Sequence, residues 1–169
     1  MTNGAASGAE ERRKIEVVES NRNPSLDVLF GFGPTLPFVV GAAAAWWLPQ
    51  PTRMIALQFV ALWGSSILLF LSGVRRGLSF RTDGGPTWTQ MVTMLALFCL
   101  GLGSLAALLI DALLVALIVL LTGFGAVFVL DPIAAHRGEA PLYFSKLRRL
   151  QMPIILLALV LSVAITIWT

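Results

Sequence analysis

Charge is what this sequence has least of. Only 12% of its 169 residues are Asp, Glu, Lys or Arg and 57% are hydrophobic, whereas ordinary soluble domains carry roughly 25% charged residues. A soluble domain must wet most of its surface, and nine acids with twelve bases are too few to do so. The surplus apolar surface needs lipid as its solvent. Cysteine is nearly missing too. The single one, Cys99, lies inside an apolar run, which excludes an intramolecular disulfide and leaves it as a small hydrophobe. Histidine is equally scarce. His136 stands in a charged break without cysteine or histidine partners, so a solvated side chain is a better reading than a metal ligand or a catalyst. No Walker A motif, dinucleotide fingerprint or nucleophile elbow is present. The Gly-x-Gly pairs at 31/33, 101/103 and 123/125 fall within or beside apolar stretches, where they serve helix packing and not phosphate. No cofactor is expected.

What is present is a series of long apolar stretches. Residues 1–27 are polar and mixed in charge, with Glu10, Glu11, Glu16, Glu19 and Asp27 among the bases. They lack the apolar core of a signal peptide and the acid-poor character of a transit peptide, and are read as a mostly disordered cytoplasmic tail. Five spans follow over residues 28–169: about 29–48, 54–74, 88–109, 113–130 and 152–168. A helix rising about 1.5 Å per residue needs about 20 residues to cross about 30 Å of hydrocarbon. The first four stretches are ample by that measure and the fifth is at the short limit. A single helix from Trp88 to Leu130 would be about 65 Å long, so the chain is expected to turn at Asp111, with its carboxylate at the membrane surface. The sharper alternative is a buried intramembrane acid, a functional site by default. The fold class is therefore an all-α membrane bundle of five transmembrane helices.

Orientation follows from the bases. Arg12, Arg13, Lys14 and Arg22 precede the first span, Arg75, Arg76 and Arg81 follow the second, and Arg137, Lys146, Arg148 and Arg149 follow the fourth. With five spans, eleven of the twelve bases share one side, and only Arg53 lies on the other. That predicts the N-terminus in the cytoplasm and the C-terminus outside. It also accounts for the pI near 9.8 without nucleic acid. Trp46, Trp47, Trp88 and Trp168 stand at span ends, the headgroup depth that tryptophan favours. Trp63 falls near the middle of the second span. No internal repeat is visible.

Candidate contact residues are few. Gly73 and Gly77 make a G-x-x-x-G at the end of the second span, and Gly41 with Ala45 a small-x-x-x-small pair in the first; such pairs let helix backbones approach within a monomer or toward a partner. Pro34 and Pro37 open the first span. Proline is cheap at a helix start, but Pro37 is placed where it can also kink the helix and open a crevice. With Trp63, Ser65 and Ser66 these prolines compose a candidate small-solute site. No Asp, Glu, Lys or Arg lies at mid-span, so ion coupling is not expected. After the fourth span, Tyr143 and Leu147 fall on one helical face and Lys146 and Arg149 on another. This reads as a short interfacial helix with its bases toward anionic headgroups, or toward a docking partner.

Pro37-Phe38, the run Trp63-Gly64 to Phe70-Leu71-Ser72-Gly73-Val74-Arg75-Arg76-Gly77, and Pro141-Leu142-Tyr143-Phe144 with Leu147-Arg148 together resemble the family of bacterial and mitochondrial membrane proteins that includes transmembrane protein 69. The resemblance extends from about Leu29 onward. It departs at Ser72, where the family favours glycine, at Arg76, where it favours an aromatic, and at Tyr143-Phe144, where it has a tryptophan-tyrosine pair. It implies a five-span membrane protein and no defined activity.

The function expected is that of a non-enzymatic structural, accessory or assembly factor in the bacterial inner (cytoplasmic) membrane. Its partners would be the lipid bilayer and other membrane proteins, not nucleic acid. The alternative is a small uncoupled transporter or channel. An intramembrane enzyme would need Asp111 or His136 to face a shared pocket, and the expected topology separates them.

Overall fold

The computed structural model of the protein describes residues 32–80, 85–136 and 142–168, the side chains of residue 78 and of 134–149 excepted. The tail expected over residues 1–27 lies outside them. The described regular elements are all helical. A short 3-10 turn, Gly33–Thr35, leads into α1 (Leu36–Trp47), followed by α2 (Thr52–Ser79), α3 (Trp88–Leu109), α4 (Leu113–His136) and α5 (Leu142–Trp168). Four of them contain stretches long and apolar enough to cross a membrane: Thr52–Gly77, Trp88–Leu109, Leu113–Ile133 and Leu150–Trp168.

The first and fifth helices exchange the roles expected of them. α1 has 12 residues, about 18 Å of helix, well short of about 30 Å of hydrocarbon. Prolines bracket it. Pro37 occupies the first turn, where its missing N–H costs nothing and its fixed φ starts the helix. At the other end Leu48 is extended (φ −84°, ψ 145°), the conformation a residue before proline prefers, and Pro49 and Pro51 follow. α5, by contrast, is one continuous 27-residue helix with Pro153 inside it. The interfacial helix expected around Tyr143, Lys146, Leu147 and Arg149 is the start of α5 and not a separate piece. The side chains of those four residues, and of His136, lie outside the described set.

Local chemistry fixes the other ends. Thr87 and Gln90 form a reciprocal capping box at the start of α3: Gln90 N–H donates to Thr87 Oγ1 and Thr87 N–H donates to Gln90 Oε1 (3.3 and 3.1 Å), satisfying two amides that the helix leaves unpaired. α3 ends in a paired-carbonyl turn. Ala112 N–H donates to Ala107 O and Asp111 N–H to Leu108 O, the 6→1 and 5→2 bonds of a Schellman motif. Its central residue, Asp111, has φ +56°, the left-handed conformation that Gly, Asn and Asp tolerate best. The turn is three residues long and α4 starts at once, so Asp111 sits exposed at the tip of the α3–α4 hairpin.

α2 is the hub of the bundle. It packs against α1, α3 and α4, while α5 closes the ring between α4 and α1. Inward-facing residues of α2 recur at helical spacing: Leu57, Val60, Ala61, Ser65, Leu68, Leu71 and Ser72 are all buried. Their counterparts on α4 are Leu113, Ala116, Leu117, Leu120, Phe124 and Val127. Glycines set the approach distances. A Cβ on Gly64 would lie 2.7 Å from Leu120 Cδ1 and 3.2 Å from Phe38 Cε1, so only hydrogen fits where α1, α2 and α4 meet. Phe38 and Phe124 meet edge to face at the same level, 5.4 Å between centroids, a favoured aromatic geometry. Outward, Trp88, Leu109 and Leu157 are more than 70% exposed. In water such surface would aggregate; in lipid it costs nothing.

Candidate functional site

The most concentrated polar arrangement among the described residues lies at the C-terminal ends of α2 and α4. The buried stripe of α2 continues past Leu68, Leu71 and Ser72 to Arg75 and Ser79, and that of α4 continues past Leu120, Phe124 and Val127 to Asp131. Arg75 Nη2 donates to Asp131 Oδ1 in an ion pair whose side chains are only 14% and 11% exposed. Ser72 and Ser79 are buried nearby on α2 and donate back to Leu69 O and Arg76 O, both at 2.8 Å. Pro132 follows Asp131 within the helix; it has no N–H to give the carbonyl of Phe128. Arg76, one residue on, points elsewhere. Its guanidinium lies 4.4 Å from the Phe80 ring centroid and Nη1 is 3.0 Å from Met91 Sδ of α3, a cation–π contact.

Chemically this is a lock. Pairing a guanidinium with a carboxylate offsets part of the cost of holding either charge near hydrocarbon, and losing one partner leaves the other uncompensated. The pair ties α2 to α4 across 56 residues of sequence. Sequence reading counts both arginines as orientation signals and places Asp131 in a loop, because the apolar stretches stop at 74 and 130. The helices do not stop there. The missed signal was the spacing: Arg75 and Asp131 fall on the continuation of each buried stripe.

The residues of the candidate solute site are not gathered into one place. Trp63 Nε1 donates to Pro34 O at 3.0 Å and its ring stacks on Phe59, so these groups staple α2 to the start of α1. Ser65 points the other way. It is fully buried, 2.8 Å from Ala61 O and 2.9 Å from Ser104 Oγ of α3, and Ser104 in turn donates to Ala116 O of α4 at 3.2 Å. Ser66 is exposed and donates back to Leu62 O. Pro37 lies in the first turn of α1. Between α1 and α2 the contact is closed: a Cβ on Gly41 would lie 2.4 Å from Val60 Cγ2, and Phe38, Ala42 and Ala45 are buried beside it.

Gly41 and Ala45 thus lie in the interior, whereas Gly73 and Gly77 are exposed, and added Cβ atoms there meet nothing within 4 Å. The serine bridge is worth little by itself. Ser104→Ala is expected to cost about 0.6 kcal/mol, the average for interhelical hydrogen bonds in a membrane protein, because Ser65 keeps Ala61 O as acceptor. Unfolding in mixed micelles against the parent protein checks this, and a loss above about 3 kcal/mol would show that the bridge organises the core.

No curated protein and no solved structure matches the chain. Residues 23–164 match the model of a family described as "Protein of unknown function (DUF3429)", and this all-helical, lipid-suited chain belongs to that family.

Proposed function

We propose that the protein is a non-enzymatic accessory or assembly factor, resident in the bacterial inner membrane and acting through contact with other membrane proteins. The observation that carries this reading is a self-satisfied interior: among the described residues, each buried side-chain nitrogen and oxygen has a hydrogen-bond partner within the chain. Groups that bind or transform a solute are normally held toward a cavity, and here the serines and the mid-span tryptophan are occupied with holding helices together. Outward, Gly73 and Gly77 of α2 leave a bare backbone surface between the exposed rings of Phe70 and Phe80, a form of surface that a partner helix can approach closely.

In this reading α1 is a fifth, short membrane-embedded helix, the N-terminus is cytoplasmic and the C-terminus is outside. The Arg75–Asp131 pair supports it by joining the end of α2 to the end of α4, which brings the two base-rich breaks to one side, as the positive-inside rule requires. An alkaline phosphatase fusion at the C-terminus is expected to be active. Kinship with transmembrane protein 69 also belongs to this reading, on the strength of the motif set alone.

The test is capture of the N-terminally tagged protein in mild detergent, followed by mass spectrometry. A stoichiometric membrane-protein partner is expected. Gly73→Leu with Gly77→Leu should abolish that capture while changing thermal stability little, because the new side chains meet nothing in the protomer. Recovery of the protein alone under several detergents would count against an accessory role.

A further inference from the structure

At the end of the bundle opposite the ion pair, an open cleft of about 430 Å³ lies among the start of α2, the α3–α4 turn and the end of α5. Its polar lining is Gln58, Asp111 and Thr166, and its apolar walls include Met54, Leu114 and Val115. We propose that this cleft binds the primary ammonium of an aminophospholipid headgroup, with the acyl chains running down the adjoining apolar helix surface.

Three observations lead there. The first is charge. Asp111 is the ionisable residue of the lining; Arg53, the other charged residue described at this end, is turned to Leu48 O, with its Nε donating at 3.1 Å. The formal charge on the lining is thus negative, which favours a cationic occupant. The second is hydrogen-bond character. Asp111 offers carboxylate oxygens, Gln58 an amide whose oxygen accepts while its NH2 can donate to a headgroup phosphate, and Thr166 only lone pairs, since its hydroxyl donates to Ser162 O at 2.8 Å. A lining with acceptors on three elements suits a group with three N–H donors, which a primary ammonium has and a choline headgroup lacks. The third is depth. Trp47 and Trp168, 81% and 83% exposed, mark this end of the bundle as headgroup level, and Met54 and Val115 are themselves exposed walls, continuous with Ile55 and Ile118 on the lipid-facing surface. A soluble amine would leave these walls unused, whereas a lipid covers them.

The turn makes the proposal testable without unfolding the protein. Asp111 has φ +56°, so Asp111→Gly and Asp111→Asn both suit the backbone while removing the carboxylate. The protein is reconstituted in nanodiscs of equal phosphatidylethanolamine, phosphatidylcholine and phosphatidylglycerol with matched acyl chains. Lipids retained on release from the disc are then weighed by native mass spectrometry. The parent protein is expected to retain phosphatidylethanolamine about tenfold over phosphatidylcholine. Both variants should retain the two lipids near the bulk ratio, at unchanged thermal stability or better. Gln58→Leu should lower the preference in part. Equal retention by the parent, an unchanged preference in Asp111→Gly, or displacement of the lipid by free ethanolamine at equal concentration would each overturn the assignment.

Discussion

Gly64→Leu is expected to destabilise the bundle by about 3 kcal/mol, at the upper end of what overpacking a core costs. The site lies where α1, α2 and α4 meet. Even a methyl group there would come within 2.7 Å of Leu120 Cδ1 and 3.2 Å of Phe38 Cε1. Both neighbours are fully buried, with Phe124 packed edge to face on Phe38, so making room for a larger side chain requires repacking the core around them. Overpacking a filled core typically costs 1–3 kcal/mol and occasionally more. The cost is severe here because lipid supplies no hydrophobic drive between helices, and van der Waals contact carries their association. Thermal unfolding in detergent, read by far-ultraviolet circular dichroism, measures the loss. Gly73→Leu is the matched control. The same substitution on the same helix meets nothing within 4 Å and should change stability by less than about 0.5 kcal/mol, as exposed substitutions generally do. Equal losses at the two glycines would mean that α2 does not present Gly64 inward.

The second large effect is expected at the ion pair. Arg75→Ala should cost about 2–3 kcal/mol, below the 3–5 kcal/mol of a fully buried pair because Arg75 and Asp131 keep 14% and 11% exposure. The loss comes chiefly from leaving the Asp131 carboxylate without its counter-charge. Asp131→Asn should cost a similar amount for the converse reason, and the double variant less than the two losses added. A coupling of about 2 kcal/mol in that cycle is what contact implies. Because the pair is largely buried, these losses should persist at high salt, which screens exposed pairs far more. Additive losses would show that the two residues act separately.

The sequence by itself determined the solvent and most of the helices. Apolar runs of about 20 residues with so few charges have no stable place in water, and the length arithmetic that divides 88–130 at Asp111 has its counterpart in helices that end at Leu109 and restart at Leu113. These are one-dimensional properties: hydropathy, length and breaks. The short α1 was legible in principle, since prolines stand on both sides of it, but hydropathy does not register a proline boundary. The partners were not legible at all. Gly41–Ala45 and Gly73–Gly77 are the same pattern in sequence, yet one is closed against Val60 and the other faces outward, because only the placement of neighbouring helices decides which side of a helix is covered. Arg75 and Asp131 looked like loop charges for the same reason. Their burial depends on two helices running on beyond their apolar stretches and meeting there, and a contact between residues 56 positions apart leaves no trace in either local segment.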